Sequence, residues 1–219
     1  MIAAFWDDMK TTSSGDVFYA SYDENNDGLE DIYFAGNQVS DQLYLNLGNL
    51  QFKNISIESG ITSDNSWSSG VTMEDINGDG YLDIYVSKVS PASPQAVKNR
   101  LYMNNGDLTF TEKANEFGLD FTGFSTQATF FDYDRDGDLD MYLLNHAIHT
   151  VRSYGTAKKR MESDSLSGDR FFENKLNERD KKFIDVTKSS KIYDTPPVSY
   201  THLRAHETSL HLVCRLLLE

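Results

Sequence analysis

The chain holds 219 residues, with 20 Lys and Arg against 34 Asp and Glu for a net charge of −14. Its 39% hydrophobic content, with 13 Phe and 12 Tyr, suffices for a packed core and excludes wholesale disorder, while a single Cys excludes a disulfide framework. No apolar run reaches the ~18 residues of a membrane span, so no membrane insertion is expected, and the acidity argues against nucleic acid, whose phosphates call for Lys and Arg.

Residues 1–13 read as an irregular start. Met1-Ile-Ala-Ala-Phe-Trp-Asp-Asp8 has neither the basic flank nor the apolar core of a signal peptide and reads as an internal start. From there the sequence repeats, in units expected at 14–62, 63–120 and 121–197. Each unit carries a nine-residue acidic phrase: Asp23-Glu-Asn-Asn-Asp-Gly-Leu-Glu-Asp31, Asp75-Ile-Asn-Gly-Asp-Gly-Tyr-Leu-Asp83 and Asp132-Tyr-Asp-Arg-Asp-Gly-Asp-Leu-Asp140, with steps of 52 and 57 residues. A β-type triplet follows each: Ile32-Tyr-Phe34, Ile84-Tyr-Val86 and Met141-Tyr-Leu143. A second phrase comes next, Gln42-Leu-Tyr-Leu-Asn46, Arg100-Leu-Tyr-Met-Asn104 and Arg170-Phe-Phe-Glu-Asn174, with Phe52, Phe110 and Phe183 beyond it. The units close on Ile57–Ile61, Ala114–Leu119 and Lys188–Ile192. Three markers in one order, three times over, are not chance.

Val71–Glu74 and Ala128–Phe131 before the loops, the triplets after them, and the hairpin signal of Asn104-Asn-Gly-Asp107 between apolar runs give about four short strands per unit. A period near 50 residues with four strands predicts an all-β fold, a partial β-propeller of about three four-stranded antiparallel blades. A polar insert at 152–169 lacks strand periodicity and is expected as an exposed excursion of the third blade. The last segment, 198–219, reads differently: VSYTHLRAHE and LVCRLLL match one translation frame of a common sequencing adapter, so the segment is set aside as an artefactual tail. With it go His202, His206, His211 and Cys214 as candidate ligands or nucleophiles.

The acidic phrase carries the chemistry. Oxygen donors at positions 1, 3 and 5, with Gly at 6 for a sharp turn, suit Ca²⁺. The expected ligands are Asp23, Asn25, Asp27 and Asp31 in the first loop, Asp75, Asn77, Asp79 and Asp83 in the second, and Asp132, Asp134, Asp136 and Asp140 in the third. Position 7 supplies a backbone carbonyl from Leu29, Tyr81 and Asp138. About three Ca²⁺ ions are expected, one per loop, bound more weakly where Asn25 or Asn77 replaces a carboxylate; Mg²⁺ prefers fewer protein ligands and more water. An EF-hand would need Glu at position 12, where this chain has Phe34, Val86 and Leu143 in strand-like runs.

Phe131-Asp-Tyr-Asp-Arg-Asp-Gly-Asp-Leu-Asp-Met-Tyr142 and Trp67-Ser-Ser-Gly-Val-Thr-Met-Glu-Asp75 resemble the FG-GAP/VCBS repeat of integrin-type β-propellers, most of all in bacterial cartilage-acidic-protein-like (ASPIC/UnbV-associated) proteins. The resemblance spans roughly residues 14–195 and implies a seven-bladed parent, calcium in the blade loops, and extracellular, cell-surface or periplasmic placement. The first unit departs from it, with Val17-Phe-Tyr-Ala-Ser21 in place of a Phe-Gly start, and the ASPIC/UnbV segment is absent.

Elsewhere the signals are weaker. His146 and His149 lie three apart and read first as loop histidines, second as a general-base or metal pair. Trp67 reads as a strand-edge residue ahead of a sugar platform, and Tyr33, Tyr85 and Tyr142 as blade packing. Lys158-Lys-Arg160 is a solvated basic turn, and Asn54-Ile-Ser56 fits a glycosylation sequon. The favoured function is a non-enzymatic, calcium-stabilised scaffold that binds a protein or glycan surface. The alternative is a fragment of a propeller-fold lyase or hydrolase whose active site lies in other blades. The sequence leaves the oligomeric state open.

Overall fold

The computed structural model of the chain describes residues 17–23, 25, 27–36, 39–61, 66–90, 93, 96–146, 166–177 and 182–190. His149, Lys158–Arg160 and the segment 198–219 lie outside them. The described strands are β1 (Val17–Tyr22), β2 (Asp31–Gly36), β3 (Gln42–Asn46), β4 (Phe52–Asn54), β5 (Trp67–Glu74), β6 (Asp83–Val89), β7 (Arg100–Asn104), β8 (Phe110–Glu112), β9 (Ser125–Phe131), β10 (Asp140–Asn145), β11 (Arg170–Asn174) and β12 (Phe183–Asp185). They form three four-stranded sheets, β1–β4, β5–β8 and β9–β12, each antiparallel and in chain order. The fold is all-β, three small antiparallel sheets consistent with propeller blades.

Strand alternation dictates how the sheets stack. Side chains two apart share a face, so the residues after the ninth loop position divide cleanly. Tyr33, Ala35 and Leu43 of the first sheet meet Met73, Ile84, Val86 and Tyr102 of the second. The other face of the second sheet, with Tyr85, Leu101 and Met103, meets Phe130, Met141, Leu143 and Phe172 of the third. Tyr142, Leu144 and Phe171 form a separate cluster on the third sheet's far face. Tyr33, Tyr85 and Tyr142 are thus all buried, one per sheet at the same strand position. At ~1.5–3 kcal/mol for each fully buried large apolar side chain, these two inter-sheet cores dominate the cohesion of the described fold.

First strands also meet edge to face. Thr72 Oγ1 donates to Ala128 O at 2.7 Å, Ser69 Oγ to Ser125 O at 2.7 Å, and Gln127 Nε2 to Val71 O at 3.1 Å. Gly70 makes this approach possible: a β-carbon there would stand 2.2 Å from Thr126 O.

A polar joint missing from the sequence reading lies just before the third strand of each sheet. Asp41, Asn99 and Asp169 each accept a backbone N–H from the last two residues of the second strand, that of Gly36, Lys88 and Asn145. Asp41 also accepts from Ser68 Oγ (2.9 Å) and from Lys88 Nζ (3.3 Å) in the next sheet. Asn99 Nδ2 donates to Tyr85 Oη and to Ser125 Oγ of the third sheet. Asp169 takes the Tyr142 hydroxyl at 2.6 Å.

Two expectations change. The closing phrase Ala114–Leu119, read without a helix, contains one turn, α1 (Ala114–Phe117), ended by Gly118 at φ 75°. The insert expected as an exposed excursion is not exposed throughout: Ser167 is buried, Leu166 O accepts Phe124 N, and Asp169 belongs to the joint. Buried backbone there needs partners, and Phe124 and Asn145 supply them.

Candidate functional site

Each acidic phrase joins the first strand of a sheet to the second, and the backbone folds it around its first residue. In the second loop Asp75 Oδ1 accepts Asp79 N (3.0 Å) and Oδ2 accepts Gly80 N (2.9 Å), while Asn77 Oδ1 also accepts Asp79 N and Asp79 Oδ1 accepts Tyr81 N. In the first loop the same bonds reach Asp23 from Asp27 N and Gly28 N, Asn25 from Asp27 N, and Asp27 from Leu29 N. In the third they reach Asp132 from Asp136 N and Gly137 N, Asp134 from Asp136 N, and Asp136 from Asp138 N. Gly28, Gly80 and Gly137 at position 6 all have positive φ (84°, 90° and 95°), which is why only glycine suits the bend.

The ninth residue does more than its spacing reveals. Asp31, Asp83 and Asp140 are essentially inaccessible to water, unlike the half-buried Asp75 and the exposed Asp79, Asp132 and Asp136 at positions 1 and 5 of the second and third loops. Asp83 accepts Asn104 N (2.9 Å) on one oxygen and Ile76 N (3.1 Å) on the other. Asp140 does the same with Asn174 N and Tyr133 N, and Asp31 accepts Asn46 N at 2.7 Å. The ninth carboxylate therefore ties the loop to the third strand of its own sheet.

Asn46, Asn104 and Asn174 complete the tie. Their amides donate to the carbonyls of Glu30, Leu82 and Leu139 at position 8, and their carbonyl oxygens accept from Gly48 N, Gly106 N and Leu176 N. Sequence reasoning used these asparagines only as markers; their repetition at the end of the third strand was the available signal for the role.

Charge crowding shows in the proton affinities. Burial pushes Asp83 up from 3.8 to about 7, with Asp79 and Asp75 adding repulsion that the Asn104 and Ile76 amides only partly offset. Burial likewise lifts Asp140 to about 6, against two backbone amides and with Asp134 and Asp136 adding repulsion. Asp138 rises to about 6 through burial and its neighbour Asp136. Asp138 Oδ1 is shielded from solvent and meets no hydrogen-bond donor among the described residues. The carboxylates of Asp132, Asp134 and Asp136 bring one oxygen each within 4.8 Å of the others. An all-oxygen, strongly anionic cage with an unpaired buried oxygen fits a hard divalent cation, which would lower each of these proton affinities.

Other singled-out residues take bland places. Asn54 Oδ1 accepts Ser56 N and Ser56 Oγ (2.7 Å), an Asx turn, and Asp185 with Thr187 repeats it in the third sheet. Trp67 begins β5 and is partly exposed. His146 donates its backbone N–H to Phe124 O, and its Nδ1 has no partner among the described residues.

Comparison with known proteins places this geometry. A sequence profile described as an FG-GAP-like repeat matches residues 23–86 and 92–143, together more than half the chain and including all three acidic loops. No curated protein matches the chain. Among solved structures, a lectin from Agrocybe aegerita, described by its specific recognition of non-reducing terminal N-acetylglucosamine, aligns with a TM-score of 0.41 at 18% identity. The alignment covers 78% of this chain, which spans 37% of the lectin's length.

Proposed function

This chain belongs to the FG-GAP-like repeat family, and we propose that it is a calcium-stabilised segment of a larger propeller, of the integrin-type, ASPIC/UnbV-associated kind with seven blades, acting as a non-enzymatic scaffold. The observation that carries the reading is the ninth carboxylate. In all three repeats it is buried, bonded to the third strand and set in the anionic loop, so a cation bound there braces the sheet as well as the loop. Residues at positions 1, 3, 5 and 9 hold the ion, with the position-7 carbonyls of Leu29, Tyr81 and Asp138. Calcium then stabilises by mass action, because the loop exists as a cage only in the folded chain.

Placement outside the cytoplasm, which the resemblance to integrin-type propellers implies, is part of this reading. There the rigid stack of sheets offers its surface to a protein or glycan partner.

Thermal unfolding in EDTA and across a calcium titration, with magnesium as control, tests the reading. A melting point that climbs with calcium and saturates near three bound ions supports it, and Asp79→Ala should remove one ion. A folded chain whose melting point ignores calcium refutes it.

A further inference from the structure

Five steps in the sequence place glycine directly after Asp or Asn: Asp27-Gly28, Asn77-Gly78, Asp79-Gly80, Asn105-Gly106 and Asp136-Gly137. At such a step no side chain shields the glycine nitrogen, which can attack the preceding side-chain carbonyl carbon and close a five-membered ring. Closure needs that N–H to be uncommitted. Four of the five are committed. Gly28 N donates to Asp23 at 2.7 Å, Gly80 N to Asp75 at 2.9 Å, Gly106 N to Asn104 Oδ1 at 2.9 Å and Gly137 N to Asp132 at 3.2 Å. Gly78 N is the exception, donating to no protein atom among the described residues.

The surroundings of Asn77 favour the same step. Asn77 and Gly78 are both exposed, and a β-carbon on Gly78 would meet nothing within 4 Å, so a ring has room to form. Asp79 N donates to Asn77 Oδ1 at 3.0 Å, which stabilises the negative charge that oxygen gains under attack. Asp79 Oδ2 accepts from Asn77 Nδ2 at 2.8 Å, beside the nitrogen that must leave. The other Asn-Gly step is covered: the Tyr81 ring stands 3.0 Å from where a β-carbon on Gly106 would lie.

We propose that Asn77 is a site of spontaneous deamidation. Gly78 N gives up its proton and attacks Asn77 Cγ. The new C–N bond closes a succinimide, and the Cγ–Nδ2 bond breaks to release ammonia, which takes the proton. Water then opens the ring, at Cγ to give Asp or at the backbone carbonyl to give isoaspartate, and no oxidant or reductant enters. Either product adds one negative charge. Opened to Asp, residue 77 matches the third loop, which carries Asp134 at this position. The first loop also has Asn there, but Asn25 is followed by Asn26, whose side chain hinders the attack.

Peptide mapping by mass spectrometry tests it, on the whole chain aged in mildly alkaline buffer with EDTA. Asn77 should convert roughly tenfold faster than Asn105, the factor expected for the one hydrogen bond that Gly106 N must first break. The Asn77 peptide should split into Asp and isoaspartate forms. Gly78→Arg copies the third loop, where Arg135 holds the same left-handed conformation at φ 67° against 75° for Gly78, so the loop should still form while residue 77 stays Asn. Conversion at Asn77 no faster than at Asn105, or undiminished conversion in the Gly78→Arg chain, overturns the inference. The ageing is read without metal, so a failure of the loops to bind calcium would leave the result standing.

Discussion

Removing calcium should invert the pH dependence of stability. Without metal, the folded Asp83 holds its proton up to about 7, whereas in the unfolded chain it ionises near 3.8. A carboxyl with a raised folded value costs stability above its unfolded value, and the cost disappears as pH falls and the folded form takes up its proton. Going from pH 8 to pH 5, uptake by Asp83 begins near 7, so the gain runs over about two pH units at ~1.4 kcal/mol each, roughly 2–3 kcal/mol. Asp140 and Asp138 act in the same direction, starting nearer 6. Asp120 is held low by Lys98 and Asn115 against its own burial, so the stability it contributes is lost only below the ordinary Asp range, outside this window.

For a domain of this size, the gain is a rise of roughly 5–10 °C in melting point between pH 8 and pH 5 in EDTA. In saturating calcium the cation holds the same carboxylates ionised, protons compete with it, and the melting point should fall over that interval. Circular-dichroism melts at pH 5, 6, 7 and 8, with and without the metal, read both slopes. An EDTA melting point that falls or stays level on acidification would refute the claim that buried, mutually repelling carboxylates are what calcium relieves.

Two further perturbations probe the joints between sheets. Lys88→Ala leaves Asp41 buried without its cationic partner and should cost about 3 kcal/mol in urea unfolding, the low end for a broken buried pair because Gly36 N and Ser68 Oγ remain as donors; a loss under ~1 kcal/mol would mean that the pair does not join the first two sheets. Gly70→Ala forces a β-carbon against Thr126 O and the Gln127 side chain and should cost about 2–3 kcal/mol by the same assay; an unchanged midpoint would contradict the close approach of β5 and β9.

Much of the architecture was legible because it repeats. Four strands per unit, the acidic loop between the first and second, and the buried tyrosine two residues past position 9 all follow from period-2 runs and turn residues within short reach of one another. What stayed hidden depends on partners distant in sequence. Asp41 and Asn99 do the same job with different residue types, one paired 47 residues away with Lys88 and the other 26 away with Ser125, so no motif announces them. Ser167 and Asp169 sit in a polar stretch whose composition gives no hint that its end is packed. The single turn α1 lacks a side-chain N-cap and is only four residues long, so it left no helical signature.

The ninth residue shows why spacing alone under-describes a site. Read as a ligand, Asp83 is one oxygen donor among several and replaceable in principle by Asn. Its two backbone partners, Ile76 N and Asn104 N, need an acceptor on each oxygen, and an amide supplies only one acceptor and places a donor against the other N–H. The carboxylate is therefore required by the sheet even where no metal is bound, and its buried charge is what makes the metal-free sheet unfavourable at neutral pH. The same atoms that close the sheet carry the buried charge that a bound cation would offset. That coupling explains why position 9 is Asp in all three loops while position 3 alternates between Asn and Asp.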